Sequence, residues 1–170
     1  MNDDLKLHWQ ENSAVCGWFI SYLYRKSSTQ MAAVSRDLDL SLAQSIVLVG
    51  IYRREGVNQR TLADAIAMAP GVISRVLRDL EDRGCITKQR DEQNRRNYNL
   101  YLTPTGEALA EKSLLIQHDY WNKLLDCFTH EEVGILNTLL NKMTHHANAI
   151  SDEFSSAALR DIGCTDAETK

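Results

Sequence analysis

The sequence predicts a mainly α chain, a winged helix-turn-helix with a two-stranded wing, flanked by long N- and C-terminal helices. Three observations carry this. Two helix signals, TLADAIA and VISRVLRDLEDRG, are separated by Met68-Ala69-Pro70-Gly71. Two strand-like runs, CITKQR and NYNLYL, follow on either side of a polar tip, DEQNRR. Apolar residues at helical spacing lie both before and after this centre. Helix, turn, helix, hairpin is the order that lays one helix in a DNA major groove with a hairpin beside it.

Taken in order, residues 5–34 read as a long helix, with Val15, Trp18, Phe19, Tyr22 and Leu23 as its apolar stripe. Ser41-Leu42-Ala43-Gln44 is a capping box. It opens LAQSIVLVGIYRREG, expected to run to about Glu55 with Gly56 as its stop. Ile46, Val47, Leu48 and Val49 make this helix apolar nearly all round, which predicts a central, buried position. Asn58 is the expected cap of the next helix. Pro70 suits a first helical turn, where a missing N–H costs nothing. Gly84 suits the position just past a helix end.

Between them, Ile73, Val76, Leu77 and Leu80 recur at i, i+3, i+4, i+7, so one face is expected to be buried. Gly71, Val72, Ser74, Arg75 and Arg78 fall outside that stripe. They are small, hydroxylated or cationic, a set suited to base edges and phosphates. In the second strand Tyr98, Leu100 and Leu102 alternate with Asn99 and Tyr101, a period of two with one face expected to be buried.

After the wing a helix is expected over about 104–128, its buried stripe supplied by Leu109, Leu114, Leu115, Tyr120, Trp121, Leu124, Leu125 and Phe128. Thr129-His130-Glu131-Glu132 is a second capping box. It opens a helix over about 130–150 carrying Val133, Leu136, Leu139, Leu140, Met143 and Ile150. Residues 151–170 are small, acidic and aperiodic, and read as a flexible tail.

A net charge of −4 argues against a nucleic-acid partner until its distribution is considered. Residues 60–96 hold eight Lys or Arg against six Asp or Glu, a balance of +2, and the remainder eleven against seventeen, a balance of −6. Binding requires a local basic surface, not a basic average. Cys16, Cys85, Cys127 and Cys164 are scattered without a C-x-x-C, as for reduced thiols. No apolar run reaches membrane-spanning length and the first residues carry no signal-peptide core, so a cytoplasmic protein is expected, with no membrane association.

The central stretch resembles the MarR family of transcriptional regulators. The resemblance rests on Leu62-Ala63, Leu80-Glu81-Asp82-Arg83-Gly84, Arg95-Arg96 and Leu102-Thr103-Pro104-Thr105-Gly106. It extends over about residues 10–150 by order and length, with its specific motifs in 40–106. One position departs from the family pattern. The wing acid, usually Asp, is Asn94, so the usual Asp–Arg brace of the wing tip is not supplied.

The end helices are too long and too apolar to bury their faces on a small winged module alone. The resemblance implies that they pair across a two-fold axis. It divides the chain into a dimerisation region (1–36), a DNA-binding domain (37–106), C-terminal dimerisation helices (107–150) and the tail (151–170). It also implies a homodimer on a palindromic operator in double-stranded DNA, and a repressor relieved by a ligand.

Pro70, Gly71, Val72, Ser74, Arg75 and Arg78 are then the expected major-groove set. Arg75 forks to guanine or clamps a phosphate, unless it pairs with Asp79 at i+4. Arg95 and Arg96 at the hairpin tip are the minor-groove candidates, against a merely solvated turn. Small aromatic effectors are common in the family, and Trp18, Tyr22 and Trp121 are the candidates to line such a cleft between the first, second and fifth helices. The alternative for each is ordinary core or dimer packing.

Cys16, among Val15, Gly17 and Trp18, reads as a buried, inert thiol. His118, His130, His145 and His146 match no tight ligand spacing, so neither a metal nor a cofactor is expected. No nucleophile elbow, phosphate loop, dinucleotide turn or tight Cys/His pair is present, and no enzyme is expected. The remaining alternative is a winged-helix assembly module without sequence-specific DNA binding.

Overall fold

The computed structural model describes residues 13–90 and 98–161, with side chains for 15–90 and 98–150. In chain order the elements are α1 (Ser13–Asp37), α2 (Leu42–Arg53), β1 (Val57–Asn58), α3 (Gln59–Ala65), α4 (Pro70–Asp82), β2 (Ile86–Arg90), β3 (Tyr98–Leu102), α5 (Pro104–Leu125) and α6 (His130–Asp161). By packing, the chain forms two compact units, 1–120 and 121–170.

The first unit is built around α2. Val47, Leu48 and Ile51 are fully buried. They pack with Leu62 and Ala63 of α3, Ile73, Leu77 and Leu80 of α4, and Ile86 and Leu100 of the sheet. The helix begins as its sequence demands. Ser41 accepts from the Gln44 amide at 3.2 Å, and Gln44 accepts from the Ser41 amide at 2.8 Å. Asn58 caps α3 by accepting from the Thr61 amide at 2.9 Å. Gly56 and Gly84 adopt φ of +73° and +67°, backbone that a Cβ disfavours, and each ends a helix.

β2 and β3 pair as the expected two-stranded wing, and the sheet adds one strand to it. It has three antiparallel strands in the order β1-β3-β2. β1 is two residues long and pairs Val57 with Leu100 and Asn58 with Asn99. It joins the wing to the start of α3, so the hairpin grows out of the helix-turn-helix. The expected alternation along β3 is also only partly realised. Leu100 is 1% exposed beneath α2, whereas Tyr98, opposite Arg90 at the outer end of the ladder, is 47% exposed because no helix covers it.

α5 enters by a close approach. Thr103 donates its amide to the Cys85 carbonyl at 3.0 Å and its hydroxyl to the Gly84 carbonyl at 2.7 Å, and accepts from the Gly106 amide at 3.1 Å. The buried positions of α5 are the small Gly106, Ala110 and Ser113. The larger residues expected to be buried are not. Leu115 is 70% exposed, and Leu109, Leu114 and Tyr120 are half-buried. Small side chains let α5 lie close, Leu109 packs at the edge of the core, and Leu115 is left on the outer side. Tyr120 is anchored differently, donating its hydroxyl to the buried Ser27 of α1 at 3.0 Å.

α1 contacts α2 through its C-terminal half, where Met31 and Ser35 are buried. Its N-terminal half is uncovered, so the expected stripe of Trp18, Phe19, Tyr22 and Leu23 is solvent-facing in the single chain. Cys16, expected to be buried, is exposed for the same reason.

In the second unit the predicted capping box forms. The Glu132 amide donates to the Thr129 hydroxyl at 3.3 Å, and the Glu132 carboxylate accepts from the Thr129 amide at 2.8 Å and hydroxyl at 2.9 Å. These two bonds, backbone first, hold the Glu132 carboxyl below its usual pKa. α6 continues to Asp161, past the expected end at 150, since no Gly or Pro interrupts SDEFSSAALRD. Its Leu139, Leu140, Met143 and Ile150 are exposed, as are Trp121 and Phe128 before it. Among the described residues no helix is long and apolar enough to cross a membrane.

Candidate nucleic-acid interface

The candidate interface is the outer face of α4. Four residues, Ile66 to Ala69, turn the chain between α3 and α4. Ala67 sits at φ +50°, and the Met68 amide closes the end of α3 on the Ala63 carbonyl at 3.0 Å. Pro70 is the first residue of α4, and the preceding Ala69 gives no side-chain cap. The first turn of α4 therefore starts bare, with the partial positive charge of its amides uncovered by any capping side chain.

α4 is divided into two faces. Ile73, Val76, Leu77 and Leu80 are 0–7% exposed and hold it in the core. Gly71, Val72, Ser74, Arg75 and Arg78 all face solvent, with Val72 46% exposed. A valine held open in a first turn is suited to apolar contact such as a thymine methyl. Among the described residues Arg75 and Arg78 form no ion pair, and the Arg75–Asp79 pairing is not made. The neighbouring cations are engaged instead. Arg83 pairs with Asp39 at 3.1 Å, and Lys88 pairs with Glu81. Two uncommitted guanidinium groups thus remain on the outer face of α4.

Ser74 is constrained in a way the sequence did not announce. Its hydroxyl donates to the Pro70 carbonyl at 2.8 Å, and Gln59 Nε2, from the first residue of α3, donates to Ser74 Oγ at 2.8 Å. Gln59 is the functional candidate that sequence reasoning missed. It lies 15 positions away, outside any periodic relation to α4.

The wing candidates Arg95 and Arg96, with Asn94, lie outside the described residues. β2 and β3 are paired out to Arg90 opposite Tyr98.

Of the expected ligand residues, the two in the first unit meet on an open helix surface and line no cavity there. Trp18 and Tyr22 stack on each other at 5.4 Å on exposed α1. The gap between α1, α2 and α5 has a volume of only about 10 Å³, and Met31, Ser35, Leu42, Ser45, Ser113 and Gln117 are among its lining residues. Neither Trp18 nor Tyr22 reaches it. Trp121 belongs to the second unit. Among the described residues no group of three His, Cys, Asp or Glu is placed to hold a metal ion.

Residues 40–98 match the MarR family. The HTH-type transcriptional regulator BilQ of Clostridium symbiosum is 32% identical over 121 residues, 71% of this chain and 80% of that protein. The chain belongs to the MarR family. Its fold agrees. A MarR transcriptional regulator from Methanosarcina mazei superposes with a TM-score of 0.74 at 28% identity, covering 81% of this chain and 99% of that one. The S. aureus MepR–DNA complex shares the fold with a TM-score of 0.69 at 23% identity, covering 76% and 94%. This MarR-family chain is accordingly a transcriptional regulator, and α4 is the second helix of its helix-turn-helix.

Proposed function

We propose that this regulator binds a palindromic operator in double-stranded DNA as a homodimer in the cytoplasm, with α4 in the major groove and the β2–β3 wing in the minor groove, and that it acts as a repressor relieved by a small aromatic ligand. The observation that carries the reading is the division of α4: an apolar face locked into the core and an outer face bearing Val72, Ser74, Arg75 and Arg78. A helix held that firmly presents its outer side chains as a rigid unit, which base-edge readout requires. Pro70 and Gly71 keep the first turn small enough for close approach to the duplex. The same fold carries DNA in the S. aureus MepR complex.

Residues 37–106 form the DNA-binding domain in this reading, and 1–36 and 107–150 supply dimerisation. The support for dimerisation is the apolar surface that each unit exposes. Trp18, Phe19 and Leu23 on α1 are 47%, 53% and 47% exposed, and Ile135, Leu139 and Met143 on α6 are 54%, 55% and 49% exposed. Monomers rarely leave such surface in water, and a two-fold reader of a palindrome requires a paired scaffold. Trp18, Tyr22 and Trp121 are the side chains proposed to receive the aromatic effector. Arg96 at the wing tip is assigned to the minor groove, with Arg95 beside it. Asn94 leaves that arginine without a carboxylate brace.

The test is Arg75→Ala on two duplexes, one selected from a random library by the full chain and one scrambled. The expected loss on the selected duplex is about 1–3 kcal/mol, with a much smaller loss on the scrambled one. Equal losses on both would move Arg75 to phosphate contact. No preference between duplexes in the native protein would refute the operator reading.

A further inference from the structure

We propose that Ser74 reads DNA as a hydrogen-bond acceptor only, fixed in that state by Gln59, and that the base facing it is chosen for an exocyclic amine, N4 of cytosine or N6 of adenine. This rests on the reading of α4 as the helix that enters the major groove.

A serine hydroxyl has one proton and two lone pairs. The Pro70 carbonyl oxygen, 2.8 Å from Ser74 Oγ, can only accept, so the single proton is committed to it. Gln59 approaches Oγ at 2.8 Å. With the proton already committed, the amide group facing Oγ must be the NH₂, and it takes one lone pair. The orientation of the Gln59 amide is thereby set by the network itself. One lone pair remains, on an exposed side chain on the outer face of α4. What Ser74 offers a duplex is therefore an acceptor with no donor.

In the major groove guanine presents N7 and O6, and thymine presents O4, all acceptors. The donors there are cytosine N4 and adenine N6. An acceptor-only hydroxyl is satisfied by those amines and is repelled by the other edges. An unconstrained serine contacts either kind, because its hydroxyl rotates to suit. Gln59 thus acts as a positioning residue: it ties α3 to α4 and removes the ambiguity that a serine contact normally carries. The two bonds also polarise each other, because donating to Pro70 while accepting from Gln59 strengthens both.

The experiment begins with a duplex selected from a randomised library by the full chain. Footprint and affinity of Ser74→Ala on that duplex identify the base pair that depends on Ser74. At that pair, synthetic duplexes carry either a base lacking only the amine (purine for adenine, 2-pyrimidinone for cytosine) or the 7-deaza form of its adenine or guanine, which lacks only the N7 acceptor. Removing the amine is expected to weaken the native protein about two- to tenfold, the worth of one neutral hydrogen bond, and to leave Ser74→Ala unchanged. Removing N7 is expected to change nothing that depends on Ser74. Gln59→Met, similar in length but unable to donate, is expected to reduce the amine effect while the thermal midpoint falls by no more than one exposed hydrogen bond is worth. That readout separates positioning from simple structural support.

A Ser74-dependent response to the 7-deaza base, or no base pair that depends on Ser74, overturns the proposal and leaves the regulator reading intact. A full amine effect in Gln59→Met overturns the role given to Gln59. Failure of the library to enrich any duplex removes the regulator reading itself, and this proposal with it.

Discussion

Replacing Gly106 with alanine should separate α5 from the turn that follows α4. A Cβ at this position would stand 1.9 Å from the Cys85 carbonyl oxygen, 2.9 Å from its carbon and 3.3 Å from its Cα. All three atoms are backbone, so no side chain can swing away. Reaching ordinary contact at 3.4 Å requires the start of α5 to retreat by about 1.5 Å. That retreat breaks the Thr103–Cys85 bond of 3.0 Å and the Thr103–Gly84 bond of 2.7 Å, since hydrogen bonds weaken steeply beyond their normal length. Overpacking costs about 1–3 kcal/mol, and two hydrogen bonds add about 0.5–1.5 kcal/mol each, a total of roughly 2–6 kcal/mol.

For a chain of this size each kcal/mol lowers Tm by about 2–4 °C, so Gly106→Ala should unfold roughly 4–24 °C earlier by circular dichroism. Gly134→Ala is the control. Nothing lies within 4 Å of its added Cβ, and on a helix the change should stabilise by about 0.5–1 kcal/mol. A Gly106→Ala midpoint equal to the native one would show that the close approach is not what holds α5, and the reasoning would fail.

Three further outcomes are expected. Gly71→Ala, whose Cβ also meets nothing within 4 Å, should leave Tm unchanged or raised yet weaken operator binding, because the proposed docking brings DNA against this first turn; unchanged binding in a titration would exclude close approach there. Truncation before Thr129 removes α6 and should give a monomer by light scattering with operator affinity lost, and a dimeric truncation with native affinity would contradict the assignment of α6 to dimerisation. The Glu132 carboxyl is held below its usual pKa, so its capping contribution is complete above pH 4.5 and fades as pH falls through the lowered value; the Tm difference between the native protein and Glu132→Gln should be constant from pH 7 to 5 and shrink in acid, and a difference that instead changes near neutrality would place the effect elsewhere.

Much of the DNA-binding half was legible in the sequence because its signals are local. Ile73, Val76, Leu77 and Leu80 declare a buried face by spacing alone, and all four are buried. Ser41, Asn58 and Thr129 declare caps by residue type, and each accepts the expected amide bond. The failures are non-local. β1 has two residues, too few to show a period, and exists only because Leu100 and Asn99 lie opposite it. The burial of α5 depends on Gly106, Ala110 and Ser113, and a search for large apolar residues passes over small ones.

Apolar periodicity along α1 and α6 marks an apolar face without naming what meets it. Trp18 and Leu139, each on an apolar stripe read from spacing, are exposed. Gln59 and Ser74 are joined across a turn, and nothing in either residue's neighbourhood points to the other.

The most direct test of the central claim is a salt titration of the native protein on the selected and scrambled duplexes. The account predicts specific binding whose log affinity falls linearly with log salt, by about 0.9 per phosphate neutralised, with the selected duplex favoured by roughly a thousandfold or more at physiological salt. Equal affinity for the two duplexes, or binding indifferent to salt, would contradict it.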